Sequence, residues 1–229
     1  MSGLDLQSLT RLMQLASPAL PVGGYSYSQG LEWAVESAAV HDQCSAAAWI
    51  SGVLHGSVAQ FEAPVLARLQ RCWLAEDDAG LAHWNETYLA ARESAELHAE
   101  TLQMGFSLKA LLLTLNYLPD SMHARLRALD HPSYPATFGV ACAASGIAAS
   151  AAIAAYVWSW LENQVLAALK SVPLGQAAGQ ALLLDLGAGI PGLAHAALEL
   201  ADDELCNFAP GLAIASSRHE TQYSRLFRS

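Results

Sequence analysis

SAELHAETLQMGFSLKALLLTLN, residues 94–116, is the stretch on which the fold class turns. Leu97, Thr101, Met104, Leu108, Leu111 and Leu115 recur at intervals of four and three, with Glu96, Glu100 and Gln103 off that stripe. Such spacing lines one side of a helix with apolar groups. The pattern predicts a long core helix near residues 94–116.

The rest of the chain has the same character. It holds 44 Ala and 37 Leu against 15 Val plus Ile. Alanine and leucine favour helices, whereas strands favour β-branched residues. From His131 to Leu161 there is no Asp, Glu, Lys or Arg. That run is long enough to cross a bilayer. It is mostly alanine, however, and Ser145-Gly146 interrupts it, so it reads as buried helices in close contact. A first helix is expected to share Leu6, Leu9, Met13 and Ala16 on one face.

Prolines and glycines punctuate the pattern. Pro18, Pro21 and Gly23-Gly24 end the first helix and open a loop. Pro64, Pro135 and Pro191 suit first turns, where the missing N–H loses no bond. Pro173 parts a helix ending near Lys170 from one running to Leu186. The expectation is an all-α chain: a single globular domain of roughly nine to eleven helices over residues 1–215, with a flexible C-terminal tail at 216–229. A chain of 229 residues buries roughly three quarters of its unfolded surface and needs no staples. Its four cysteines are scattered, and nothing at the N-terminus reads as a signal peptide. Reduced thiols in a cytoplasm follow as the expectation.

Composition excludes several functions. Charged residues make up 14%, and the net charge is −10 with 11 Lys plus Arg. A nucleic-acid binder needs a basic stripe, and between Arg127 and Arg218 the only cation is Lys170. The low charge fits a surface that other proteins cover. No GxxxxGK[ST] phosphate loop and no GxSxG nucleophile elbow occur. Gly187, Gly189 and Gly192 form a GxGxxG, but Pro191 interrupts it and no βα unit surrounds it. A dinucleotide site needs that context, so the motif reads as a helix–turn–helix corner. Glu93, Glu96 and Glu100 read as a solvated helix face rather than paired catalytic acids. The eight histidines are dispersed, leaving His41, Cys44 and His219 as isolated candidates for transient metal contact. No cofactor, catalytic group or metal site is expected.

The final residues differ in character. Three of the eleven cations fall in the last twelve residues, and Tyr223, Leu226 and Phe227 stand at i, i+3 and i+4. A segment this short must dock or stay mobile. Arginines interleaved with apolar residues favour docking.

Several blocks in order resemble one family. LMQLASPALPVGGYSYSQGLE (12–32), RESAELHAETLQMG (92–105), YPATFG (134–139), YVWSWLENQV (156–165), KSVPLGQAAGQ (170–180) and SRHETQYSRLFRS (217–229) are similar to the urease accessory protein F (UreF) family. The resemblance covers nearly the whole chain. It implies an all-α fold without enzyme activity. It implies an adaptor between a UreD/UreH-type protein on apo-urease and a UreG-type GTPase, during assembly of a dinickel site. A homodimer is implied, with no nucleic acid and no membrane. Carried over to this sequence, Tyr25, Ser26, Tyr27, Gln29 and Glu32, with Lys170 and Gln176, are candidates for the GTPase-facing surface. Arg218, His219, Glu220, Tyr223, Arg225, Leu226 and Arg228 are candidates for the tail facing the UreD/UreH-type protein. The loop also has plain structural readings, with glycines making its turn and Ser28 capping the next helix. Lys170 has one too, as a cation welcomed at a helix C-terminus. The alternative to the family reading is a helical interaction protein unrelated to urease.

Overall fold

The computed structural model describes residues 5–229. The first four residues of the expected domain lie outside that range. Twelve α-helices follow one another: α1 (Leu6–Leu15), α2 (Leu31–Glu36), α3 (Gln43–Val53), α4 (Ala63–Leu74), α5 (Asp78–Ala90), α6 (Ala95–Leu115), α7 (Asp120–Ala128), α8 (Tyr134–Ala144), α9 (Ala149–Ser171), α10 (Gln176–Gly187), α11 (Ile190–Glu199) and α12 (Pro210–His219). No strand occurs among the described residues. A π-helical segment, Leu54–Glu62, joins α3 to α4 in one rod, and only Ala188-Gly189 separates α10 from α11. Counted as rods there are ten, within the expected range.

The long helix forms where its pattern places it. The Ser94 side chain accepts from the Leu97 N–H and caps α6, which ends at Asn116 in the left-handed region. Its buried residues are Leu97, Glu100, Thr101, Gly105, Leu108 and Leu112. The interior face thus follows a 3.6-residue period and takes in Glu100, while Leu115 is 48% exposed. Gly105 is required by contact: a Cβ there would lie 2.0 Å from the Pro132 carbonyl oxygen. That allows α6 to pass directly over the entry to α8.

The charge-free stretch is core. Residues Tyr134 to Ala143 of α8 are all buried, and α8 packs between α4 and α6. Gly146, at φ 64°, turns the chain into α9, which packs against α10, α11 and α4. A different stretch is long and apolar enough to cross a membrane. Gln176–Glu199 has a mean hydropathy of 1.5, and 22% of its apolar window is buried. Its outward side chains include Leu184 and Leu198. The GxGxxG falls at the joint inside it, between two helices in one rod and not after a strand; the expected corner is nearly straight, with Ala188 and Gly189 both in the right-handed helical region.

One expectation changes and another gains a detail. In α1 the predicted apolar face points outward, with Leu6 83% and Met13 65% exposed. The inward side instead uses Leu15 and Ser8, whose hydroxyl donates to the Ser145 carbonyl. Pro64 lies in the first turn of α4, as expected, but that turn continues the π segment and does not open a separate rod. A proline there leaves the carbonyl of Gln60 without its helical N–H. The Cys206 N–H takes that carbonyl at 3.2 Å, and the Phe208 N–H takes that of Gly56 at 2.9 Å. The wide π turn is thereby satisfied by a distant part of the chain.

Candidate functional site

The loop after α1 and the tail after α12 lie against each other, braced by three carboxylates. Gly23 (φ 80°), Gln29 (φ 52°) and Gly30 (φ 77°) take left-handed conformations and fold residues 23–30 into a tight entry to α2. A Cβ on Gly30 would lie 2.9 Å from the Ser216 nitrogen, so α2 meets α12 backbone to backbone. Ser28 does assist capping, since its hydroxyl accepts from the Glu32 N–H at 3.3 Å.

Glu32, in the first turn of α2, gathers the tail. Its Oε1 accepts from the Leu226 N–H at 2.6 Å and its Oε2 from the Phe227 N–H at 2.9 Å. Nε2 of His219 stands 3.2 Å from Oε2, while Nδ1 of His219 stands 2.6 Å from Oε2 of Glu96. The other oxygen of Glu96 takes Arg225 Nη1 at 2.7 Å. His219 is fully buried with both ring nitrogens engaged, so it offers no lone pair to a metal. No group of three or more His, Cys, Asp or Glu side chains among the described residues is arranged to hold a metal ion.

The third carboxylate is Glu100. Its Oε1 accepts from Gln29 Nε2 at 2.7 Å and its Oε2 from the Ser229 hydroxyl at 2.8 Å. Gln29 in turn accepts from the Trp160 indole N–H at 2.7 Å. Ser229 is fully buried, and its carbonyl oxygen accepts from both the amide (2.7 Å) and the hydroxyl (2.5 Å) of Ser28. Burial pushes the Glu100 carboxyl up to about 7, against the opposing hydrogen bonds from Gln29 and Ser229. The acidic run of α6 is therefore not a solvated face. Glu96 and Glu100 both hold the tail, with only Glu93 left exposed.

A cavity of about 100 Å³ lies behind Gln29 and Glu100. Tyr134, Tyr156, Trp160, Glu62 and Arg92 are among the residues that line it. Glu62 and Arg92 pair at 2.9 Å with both side chains 5% exposed. The hydroxyls of Tyr88 and Tyr156 each donate to Glu62 Oε2 at 2.9 Å. Burial pushes both phenols well above their ordinary range, so they remain donors.

The candidate residues divide by what they present. Tyr25 (60% exposed), Tyr223 (104%) and Leu226 (65%) project outward. Ser26 supplies its carbonyl to the Arg228 N–H at 2.8 Å. Tyr27 is buried, with its carbonyl taken by Asn163 Nδ2 at 2.9 Å. Lys170 is exposed, and its Nζ stands 5.4 Å from the centre of the Phe227 ring, which ties it to the tail. Glu220 accepts from the Ala95 N–H at 2.8 Å and joins α12 to the start of α6. Arg218 and Gln176 are exposed and take no part in these bonds. Members of the two sets assigned to different partners thus bond to one another, with Gln176 and Arg218 apart from those bonds, and the last residues lie on the body. The α12 helix runs through the expected boundary at residue 215. Sequence reasoning missed Glu96, Glu100 and Trp160 as parts of this face. A signal for Glu100 was present, because it follows Leu97 by three residues and precedes Met104 by four.

The comparisons with known proteins agree over the whole length. The UreF family model matches residues 40–187. A urease accessory protein UreF of Azoarcus sp. (strain BH72) is 59% identical over 227 residues, covering 98% of this chain and 97% of that protein. A UreF of Methylobacillus flagellatus is 54% identical, covering 97% and 98%. A bifunctional urease accessory protein UreEF of Bordetella bronchiseptica is 48% identical, covering 99% of this chain and 53% of that protein. With nearly every residue aligned at such identity, and with the all-helical fold that the sequence blocks imply, this chain belongs to the UreF family of urease accessory proteins.

Proposed function

We propose that this protein is a non-catalytic adaptor in nickel insertion into urease, bridging a UreD/UreH-type protein on apo-urease and a UreG-type GTPase. What supports this reading most is the shared face. Tyr25, Tyr223 and Leu226 stand exposed beside the carboxylate bonds that hold the tail, which is an aromatic and apolar surface pre-organised for a protein partner. The loop residues Tyr25, Ser26, Tyr27, Gln29 and Glu32, with Lys170 and Gln176, form the GTPase side. The tail residues Arg218, His219, Glu220, Tyr223, Arg225, Leu226 and Arg228 form the UreD/UreH side. Buried members act by shaping the exposed ones. The bifunctional relative, named for a second accessory activity in one chain, fits a role beside other accessory proteins.

The protein works as a homodimer in the cytoplasm and modulates GTP turnover by its partner. The outward apolar side of α10 and α11 supports self-association, and four unpaired cysteines suit a reducing compartment. Reconstitution tests the proposal: apo-urease, the other accessory proteins, nickel, bicarbonate and GTP, with and without this chain. Activation is expected only with it. A chain ending at Thr221, which keeps α12 whole, is expected to lose capture of the UreD/UreH-type protein. Undiminished capture by that variant would refute the tail assignment, and unchanged GTP turnover on adding the full chain would refute modulation.

A further inference from the structure

Glu100 occupies an unusual place in the tail contact. Glu32 and Glu96 face charged or imidazole groups, whereas Glu100 takes part in none of the ion pairs among the described residues. Its two oxygens meet only neutral groups, the Gln29 amide and the Ser229 hydroxyl, and the fully buried Ser229 closes over it. We propose that Glu100 is a proton-operated fastener for the C-terminal tail, which docks firmly when this carboxyl carries a proton and loosens when it ionises. The inference does not depend on which partner the tail meets.

The geometry accepts the proton without losing a bond. A protonated carboxyl can keep one oxygen as acceptor for Gln29 Nε2 and donate from the other to the Ser229 hydroxyl, which can donate or accept. Around it stand Tyr27 from the loop, Glu62 from the π segment, Arg92 between α5 and α6, and Tyr134 and Tyr156 from α8 and α9. Arg228 arrives with the tail and acts on Tyr27 rather than on Glu100. Glu62 disfavours a second negative charge, and Arg92, already paired with Glu62, offsets it least.

The direction follows from linkage. Burial, the largest influence on Glu100, raises its affinity for a proton in the docked state. Lifting the tail returns water to the carboxyl and replaces the Ser229 bond, so the undocked state holds the proton less tightly. The state with the higher affinity is favoured as protons are added. Docking is therefore strongest in mild acid and weakens as pH rises from the ordinary glutamate range through about 7.

Amide hydrogen exchange on the full chain tests this at Phe227 and Arg228, whose N–H groups bond to Glu32 and to the Ser26 carbonyl. Protection factors, corrected for intrinsic exchange, are expected to fall about tenfold between pH 6 and pH 8. In Glu100→Gln, whose amide can make both bonds but cannot ionise, the fall is expected to be less than twofold. A wild-type tail whose protection is flat or rises with pH would overturn the proposal, as would an equal fall in Glu100→Gln. Carbon-13 titration of the glutamate carboxyls in the unaltered protein gives a second reading. A Glu100 signal moving near pH 7 supports the fastener, and one that has finished moving by pH 5 overturns it.

Discussion

Glu32 and His219 meet at 3.2 Å, joining the first turn of α2 to the last turn of α12 across a sequence separation of 187 residues. The same carboxylate holds two consecutive tail amides. Glu32→Ala removes all three partners and is expected to free residues 225–229 while leaving the helical body folded. Hydrogen bonds to a charged acceptor contribute about 1.5–3 kcal/mol each, so losing the two amide bonds alone is expected to cost at least about 3 kcal/mol locally. Exchange at Leu226 and Phe227 checks this. Their protection should collapse, while that of α8 stays as in the parent.

The Glu62–Arg92 pair is buried on both sides. Nε and Nη2 of Arg92 have no hydrogen-bond partner among the described residues, so Glu62→Ala leaves the buried head without its counter-charge. Losing one member of a buried pair costs about 3–5 kcal/mol. The double replacement Glu62→Leu with Arg92→Met is expected to be markedly less harmful than Glu62→Ala. Urea unfolding of the parent, Glu62→Ala and the double variant measures the difference.

Gly105 passes over Pro132 with no room for a methyl group. Backbone cannot yield as a flexible side chain does. Gly105→Ala is expected to destabilise by about 1–3 kcal/mol despite alanine's better helix propensity. A raised melting temperature for this variant would contradict the close approach.

Glu100 also shapes global stability. An acid whose affinity for protons is raised by folding favours the native state below its unfolded value and loses that advantage as pH climbs. The window runs from 4.5 to about 7. At about 1.4 kcal/mol per tenfold change in affinity, the loss approaches about 3 kcal/mol at most. Relative to the parent, Glu100→Gln should therefore melt higher at pH 8 than it does at pH 5. Calorimetry at the two values decides it.

Much of the fold was legible in the sequence because helices announce themselves locally. The periodicity of 94–116, the Ser145-Gly146 break and the prolines at 135, 173 and 191 all fall where helices begin and end. Pro64 marked a first turn correctly, but the rod that runs through it was hidden, because the carbonyl it orphans is satisfied by Cys206, which no local pattern reveals. The face of α1 misled for a related reason. Amphipathicity tells which residues share a side and leaves open what that side meets. At the candidate site, the loop and the tail stood out by composition, but their union did not. Glu96 and Glu100 carry charge on a helix flank, and only the return of the tail turns them inward.

The seam between residues 56–60 and 206–208 has a consequence for biosynthesis. While the nascent chain is still short of Cys206, the Gln60 carbonyl that Pro64 orphans, in the middle of the longest rod, has no amide from that segment to meet it. The amino-terminal half then emerges as an unfinished scaffold whose wide turn stays open to water. Closure comes late, when the last quarter of the polypeptide threads back alongside it. Ribosome-bound intermediates halted before that point should be cleaved by protease within 54–62, a region that the finished molecule shields.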